Sequence, residues 1–182
     1  MAGMGTVPAT QSFLAGEKVT ASKLTAATKT PLDFLMNPPR CGVYTATGIP
    51  CASGTSTLVT FDTESWDTDS MHSTSTDISR VAINTTGQYL VTFYGRFPSN
   101  ATGYRQLNFR KNSNGNSAGG STMSTIALAA VNGSQTFVTR TFELNCLAGD
   151  YFELFAMQNS GASLTLDAGQ RVTGMEFRWL GN

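Results

Sequence analysis

The sequence predicts an all-β fold: an antiparallel sandwich of about ten short strands, preceded by a short N-terminal arm. Apolar residues alternate with a period of two from residue 41 onward, which is the pattern of half-buried strands. Turn sequences rich in Gly, Asn and Ser separate these segments, and no helical pattern lies between them. Parallel strands would need long crossover connections, so the short connections favour antiparallel pairing.

The predicted strands each end at a turn sequence such as TTG, VNGS or LAGD. They cover residues 41–47, 56–61, 78–84, 88–97, 104–112, 121–130, 135–144, 150–158, 162–167 and 172–180. The chain therefore divides into an arm over residues 1–40 and a β domain over residues 41–182.

Several predicted strands have apolar side chains on both faces. In residues 150–158, for example, Phe152 and Leu154 point one way and Tyr151 and Phe155 the other. A sandwich whose outer faces meet water would show polar residues there. We expect the outer sheet to pack on another subunit, the alternative being edge aromatics covered by loops or by the arm. The predicted interface residues are Tyr94, Tyr151, Phe155, Met157 and Trp179.

The arm differs in composition from the rest of the chain. Residues 1 to about 12 are rich in Gly, Ala, Thr and Pro, which predicts a flexible start. The following residues are too apolar for a free linker, so we predict that they anchor the chain to another protein. The predicted anchor residues are Phe13, Leu14, Val19, Leu24, Leu32, Phe34, Leu35 and Met36.

A short helix is predicted over residues 20–29 of the arm. Thr20 suits its N-cap, and Val19 can pack against Leu24 in a hydrophobic staple. Pro31 is expected to end the helix, and Pro38-Pro39 to form a stiff extended exit. A helix of about ten residues is marginal alone, so it needs a surface to lie on.

Charge and targeting signals narrow the class of partner. The chain has 12 basic and 12 acidic residues, and only 13% of its residues are charged. A neutral chain gives no field toward nucleic acid, and a weakly charged surface suits a protein buried against neighbours. No apolar run is long enough to cross a membrane, and MAGMGTVPATQSF lacks a secretory pattern. We expect synthesis in the cytoplasm and retention there until assembly.

The three cysteines, Cys41, Cys51 and Cys146, have no metal-like spacing. An odd number in a cytoplasmic chain favours free, partly buried thiols. A bridge between Cys41 and Cys51 is the alternative.

The segment FDTESWDTDSMH carries several carboxylates and the single histidine, His72. Asp62, Glu64, Asp67 and Asp69 could bind a hard cation such as Ca²⁺, although the spacing matches no EF-hand loop. A solvated loop between strands is the simpler interpretation. Asp62 and Glu64 alone are weak evidence for a glycosidase pair.

Catalytic motifs do not emerge from the sequence. His72 is the one possible base, no Ser lies in GxSxG, and no phosphate-binding loop occurs. We predict no enzyme activity, no catalytic residue and no cofactor. Trp66 and Tyr104 could stack on a sugar ring, but packing in a core or interface is the favoured interpretation.

The β segments resemble a known superfamily. NTTGQYLVTFYGRF, LNCLAGDYFELFAMQNSG and the terminal MEFRWL are similar to the jelly roll of the tumour necrosis factor and complement q-subunit globular-head proteins. Gly87 and Tyr89 match the family's G-x-Y strand entry, and Gly149-Asp150 match its GD turn. The resemblance covers residues 41–182. It implies ten strands in two sheets and a homotrimer.

The arm resembles a different group. FLAGEKVTASKL, from Phe13 to Leu24, is similar to the N-terminal segment of tail and appendage proteins of tailed bacteriophages. PLDFLMNPPRC is similar to minor tail or capsid-associated proteins of actinobacterial phages. The resemblance implies a trimeric, non-enzymatic minor tail or fibre protein, anchored to other virion proteins and displaying its head for host attachment. A capsid decoration or head-fibre protein, and a carbohydrate- or receptor-binding module, are the alternatives.

Overall fold

The computed structural model describes residues 7–182. The first part of the predicted flexible start, residues 1–6, lies outside this range. Residues 7–14 form neither helix nor strand. Two short helices follow, α1 over Ala21–Ala27 and α2 over Lys29–Met36.

Twelve strands make up the remainder of the described chain. They are β1 Arg40–Tyr44, β2 Ile49–Cys51, β3 Thr57–Leu58, β4 Thr63–Asp67, β5 Arg80–Ala82, β6 Gly87–Phe97, β7 Tyr104–Lys111, β8 Ser121–Ala129, β9 Thr136–Cys146, β10 Tyr151–Gln158, β11 Leu164–Leu166 and β12 Gly174–Gly181.

The strands form two antiparallel five-stranded sheets that pack face to face. The first sheet has the order β4-β1-β12-β6-β9. In the second sheet the order is β3-β10-β7-β8, with β5 also pairing with β10. A small β11–β2 pair lies apart from both. This arrangement confirms the predicted all-β jelly-roll sandwich with a short helical arm.

Stacked phenylalanine rings fill the space between the sheets. Phe93 of β6 stacks on Phe109 of β7 with ring centroids 5.3 Å apart, and Phe109 stacks on Phe152 of β10 at 5.1 Å. Phe152 in turn contacts Phe177 of β12 at 5.6 Å. All four side chains are fully buried. Aromatic contacts of this kind add to the area that they bury, so this stack ties the two sheets together.

Two strands occur where the sequence predicted loops. β4 lies within the acidic segment and pairs with β1 at the edge of the first sheet. An edge strand has one unpaired side, so polar residues such as Glu64 can reach water from it. β2 contains Pro50, which lacks an N–H and is tolerated because β2 pairs only with β11.

The prediction of a single helix that ends before Pro31 is also wrong. The backbone leaves helical geometry at Thr28, and a second helix then runs through Pro31 to Met36. Pro31 is the third residue of α2, where its missing N–H removes no helical hydrogen bond. It therefore helps to begin a helix instead of ending one.

A buried carboxylate fixes the loops that cross the second sheet. Glu153 of β10 is fully buried and accepts hydrogen bonds from Ser79 Oγ, Ser113 Oγ, Gly115 N and Arg80 Nε. Burial alone would raise the pKa of Glu153, but these four donors outweigh it and hold the pKa below its ordinary value. The ionised group thus stabilises the folded state.

We predict that Glu153→Gln lowers the free energy of unfolding at neutral pH by about 1.5–3 kcal/mol, because charged hydrogen bonds are lost. A lowered pKa stabilises the fold above the ordinary carboxyl pKa, and that stabilisation disappears as the pH falls through the folded-state value. Urea unfolding followed by circular dichroism should show the difference from wild type shrinking between about pH 6 and pH 3. The exposed Glu64→Gln is the control. If the variant's free energy of unfolding lies below that of wild type by the same amount at about pH 6 and about pH 3, the prediction is contradicted.

Candidate functional site

The arm is held to the jelly roll by one buried aromatic residue. Phe34 of α2 is only 2% exposed, and its ring meets Trp179 of β12 edge-on, with centroids 5.0 Å apart. Trp179 faces the core from the end of its strand. Phe34, which the sequence placed among the anchor residues for another protein, therefore packs within its own chain. This corrects its predicted role.

Backbone hydrogen bonds fix the exit of the arm beside the same strand. Trp179 N donates to Pro39 O at 2.9 Å, and Thr68 Oγ1 donates to Pro38 O at 2.8 Å. The predicted N-cap is confirmed, since Thr20 Oγ1 accepts a bond from Lys23 N at 3.2 Å. The two helices pack on each other and leave the jelly roll at a fixed point.

The other predicted anchor residues are exposed. Their exposed fractions run from 48% to 84%. They are Phe13, Leu14, Val19, Leu24, Leu32, Leu35 and Met36. Seven large apolar side chains in so short a segment exceed the scattered exposure of a normal surface. We call this set the arm's apolar surface.

A second apolar surface lies on the outward face of the first sheet. Leu90 and Tyr94 of β6 point away from the core, opposite to Tyr89, Val91 and Phe93. Burial, assisted by the nearby Glu176 carboxylate, raises the pKa of Tyr94 to about 12. The hydroxyl therefore stays neutral at physiological pH.

Two further aromatic residues extend the outward face of the first sheet. Phe137 of β9 is 44% exposed and lies 6.3 Å from the Tyr94 ring. Trp66 of β4 covers Gly42, where an added Cβ would lie 2.7 Å from the indole. Arg178 also lies over the Trp66 ring, with its guanidinium carbon 5.8 Å from the ring centroid. The outward face thus carries aromatic side chains near β6 and β9, among polar neighbours such as Thr92 and Thr141, and a guanidinium near β12.

The predicted sugar-stacking residues are both engaged within the chain. Trp66 packs against Gly42 and contacts the Arg178 guanidinium. The Tyr104 hydroxyl contacts Met157 Sδ at 3.8 Å. Packing, the other interpretation of these residues, fits the structure.

The five predicted interface residues do not form one surface. Tyr94 lies on the first sheet, whereas Tyr151, Phe155 and Met157 lie on the outer face of the second sheet. Trp179 points toward the core and meets the arm. These locations correct the prediction of a shared interface.

The second-sheet residues of that set are covered by their own chain. Phe155 is 2% exposed, and Arg80 lies over the Tyr151 ring at 4.4 Å. Loop and edge coverage, the alternative weighed above, explains the apolar outer face of β10. The outward face of the first sheet, with the exposed Phe137 and the half-buried Leu90, is the better candidate for contact with another copy.

The acidic segment serves as a set of hydrogen-bond acceptors. Asp67 accepts from the backbone amides of Asp69 and His72 at 3.1 and 2.9 Å, and Asp62 accepts from Ala46 N at 2.7 Å. Within residues 7–182, no group of three His, Cys, Asp or Glu side chains is placed to hold a metal ion. These carboxylates fix turns on either side of β4, the strand that takes the place of the predicted solvated loop.

His72 also has a structural environment. Its Nδ1 lies 2.7 Å from Arg80 O and its Nε2 lies 3.1 Å from Phe61 O. Two backbone carbonyls thus occupy both ring nitrogens and join the loop before β5 to its neighbours. Neither nitrogen is directed at a nucleophilic side chain.

A polar cleft of about 280 Å³ opens beside this loop. Arg80 is the cation that lines it, and it already bonds Glu153 at 3.3 Å, Asp77 at 3.2 Å and Asn114 at 2.6 Å. Tyr151 lies beneath the same guanidinium. The Arg80 guanidinium therefore forms structural contacts within the chain.

All three cysteines are free and buried, as the sequence favoured. Burial raises the pKa of the Cys41 and Cys51 thiols and raises that of Cys146 to about 12. Such thiols stay protonated and poorly reactive.

None of the helices within residues 7–182 has the length and apolar character needed to cross a bilayer. No protein-family model and no curated protein sequence matches this chain.

Solved structures, by contrast, share its fold. Murine APRIL, at pH 8.0, is 13% identical with a TM-score of 0.59 over 78% of this chain and 98% of its own. The globular domain of zebrafish complement 1qA is 13% identical, with a TM-score of 0.54 over 79% and 99%. Eiger TNF from S. frugiperda is 11% identical, with a TM-score of 0.59 over 79% and 93%. The chain therefore has a jelly-roll sandwich like those of tumour necrosis factor and complement globular-head proteins.

We predict that Phe34→Ala releases the arm without unfolding the jelly roll. Truncating a buried aromatic removes the one edge-on contact with Trp179, so amides of residues 21–36 should exchange with deuterium at least about tenfold faster. Leu35→Ala is the matched control, because Leu35 follows Phe34 in the same helix but its side chain is 64% exposed. Equal exchange in both variants would show that Phe34 does not hold the arm.

Proposed function

We propose that this chain is a non-enzymatic structural protein of a bacteriophage virion. In this proposal it forms a homotrimer of jelly rolls, and its N-terminal arm docks on another virion protein. The arm's apolar surface is the observation that carries the proposal. That surface remains exposed although Phe34 fixes the arm in place, and exposed apolar area in water is unfavourable by roughly 25 cal/mol per Å².

Sequence and geometry support the role of the arm independently. The FLAGEKVTASKL stretch resembles the N-terminal segments of phage tail and appendage proteins. The exposed residues Leu32, Leu35 and Met36 lie on a helix tied to the jelly roll, so docking them would also orient the head. A minor tail or fibre protein is the form that we favour, synthesised in the host cytoplasm and incorporated at assembly. A capsid decoration or head-fibre protein would use the same arm.

The proposed trimer is supported by the fold and by the first sheet. The superfamily resemblance implies a homotrimer, and the outward face of the first sheet exposes Phe137 beside Leu90 and Tyr94. The neutral, weakly charged chain also suits extensive burial against neighbours. Host attachment through sugar stacking is not included in the proposal, because Trp66 and Tyr104 are engaged within the chain.

The arm and the trimer are predicted to be separable. Removing residues 1–36 should leave a particle with three times the mass of the truncated chain in sedimentation velocity, since the first sheet is intact. The same truncation should abolish incorporation into virions, measured by mass spectrometry of particles purified from infected cells. A truncated chain that sediments as a monomer would show that the arm is an oligomerisation element.

A point-variant pair tests the arm's apolar surface more sharply. Leu35→Glu combined with Met36→Glu places charges on exposed positions and should leave the fold and the trimer unchanged. Incorporation into virions should fall at least about tenfold, because docking would bury unpaired charges. Lys18→Glu, an exposed charge reversal outside the apolar set, is the control. Normal incorporation of the double variant would refute docking by this surface.

A further inference from the structure

The strand register places four residues in one row across the outward face of the first sheet. Leu90 of β6 is opposite Arg178 of β12 on one side and Glu143 of β9 on the other. Arg178 is in turn opposite Arg40 of β1. The row is therefore Arg40, Arg178, Leu90 and Glu143, with two cations toward one edge of the sheet and a carboxylate at the other.

Two of these three charges, Arg40 and Glu143, have no ion-pair partner within the described residues, and the third has only a long one. Among residues 7–182, Arg40 takes part in no ion pair, and Arg178 reaches only Glu176, at 3.9 Å. Glu143 accepts a hydrogen bond from the Gln88 amide at 3.2 Å and, within the same range, pairs with no cation. Strands are about 4.8 Å apart, so the Arg178 and Glu143 backbones are separated by roughly 10 Å. Glu143 therefore forms no ion pair with Arg40 or Arg178 of the same chain.

The basic end of the row is unfavourable as it stands. Like charges directly opposite each other in an antiparallel pair repel, and Arg40 and Arg178 are such a pair. A carboxylate supplied from outside would relieve this repulsion.

The two ends of the row also lie where a neighbouring copy can reach them. β9 is the edge strand on the acidic side. On the basic side, β4 ends at Asp67, and Thr68 forms the last bonds to Arg40. In a ring built about an axis parallel to the strands, each copy presents the acidic edge to the basic edge of the next, at the same height.

We propose that Glu143 of one copy pairs with Arg40 and Arg178 of the next, closing the ring through a charge row on the outward face of the first sheet. This inference rests on the proposed trimer and specifies its contact. Within each copy Leu90 lies next to Arg178 and Glu143, so an apolar side chain flanks the proposed ion pair from both copies. Exclusion of water there strengthens the ion pairs relative to exposed ones.

Charge reversal tests the row. Glu143→Lys alone, or Arg40→Glu with Arg178→Glu, places like charges at every contact and should weaken trimerisation at least about tenfold in sedimentation over a concentration series. The triple variant reverses both ends and should regain most of the wild-type affinity. Lys18→Glu, an exposed reversal in the arm, should change nothing. Circular dichroism establishes that each chain is folded.

The outcomes separate the charge row from the trimer itself. A wild-type chain that is monomeric at every concentration overturns the proposed trimer. If the wild type is trimeric but the variants that reverse only one end of the row keep full affinity, the charge row is overturned and the proposed trimer is not. Loss of affinity in the one-sided variants without recovery in the triple variant also overturns the pairing, since repulsion alone would not require these partners.

Discussion

The stack of buried phenylalanine rings is the constraint on which the other features depend. Phe93, Phe109, Phe152 and Phe177 come from four strands and both sheets, with successive centroids 5.1–5.6 Å apart. Strand side chains alternate, so fixing these rings inward fixes their neighbours outward. A slip of one residue in β6 would exchange Phe93 for Tyr94 and destroy the core and the outer surface together.

The outward surface follows directly from that alternation. Leu90 and Arg178 share one row because β6 and β12 are in the register that the core selects. At the end of β12 the same alternation turns Trp179 inward, where it receives Phe34 from the arm. One register thus sets both the candidate contact between copies and the attachment point of the arm, so that a docked arm would orient the whole head.

Alternation was visible in the sequence, and so the strands and the inward face of β6 could be predicted from it. The edge strand β4 could not be predicted in this way. It pairs with β1 on one side only, so it tolerates polar residues, and its sequence therefore resembles that of a loop. The partner of Phe34 and the charge row were equally hidden. Both depend on pairings between residues distant in the chain, and register is a property of tertiary packing. The two-sided apolar pattern of β10 suggested an interface from sequence, but Phe155 is 2% exposed in the single chain, and such coverage cannot be read from alternation.

The structure of the assembled oligomer, determined by crystallography or cryo-electron microscopy, tests the central claim most directly. The claim is that the first sheet's outward face is the contact between copies. The account predicts Glu143 of each copy within about 4 Å of an arginine, Arg40 or Arg178, of the next, with Leu90 buried beside the pair. An oligomer joined through the second sheet, with the outward face of the first sheet in water, would contradict it.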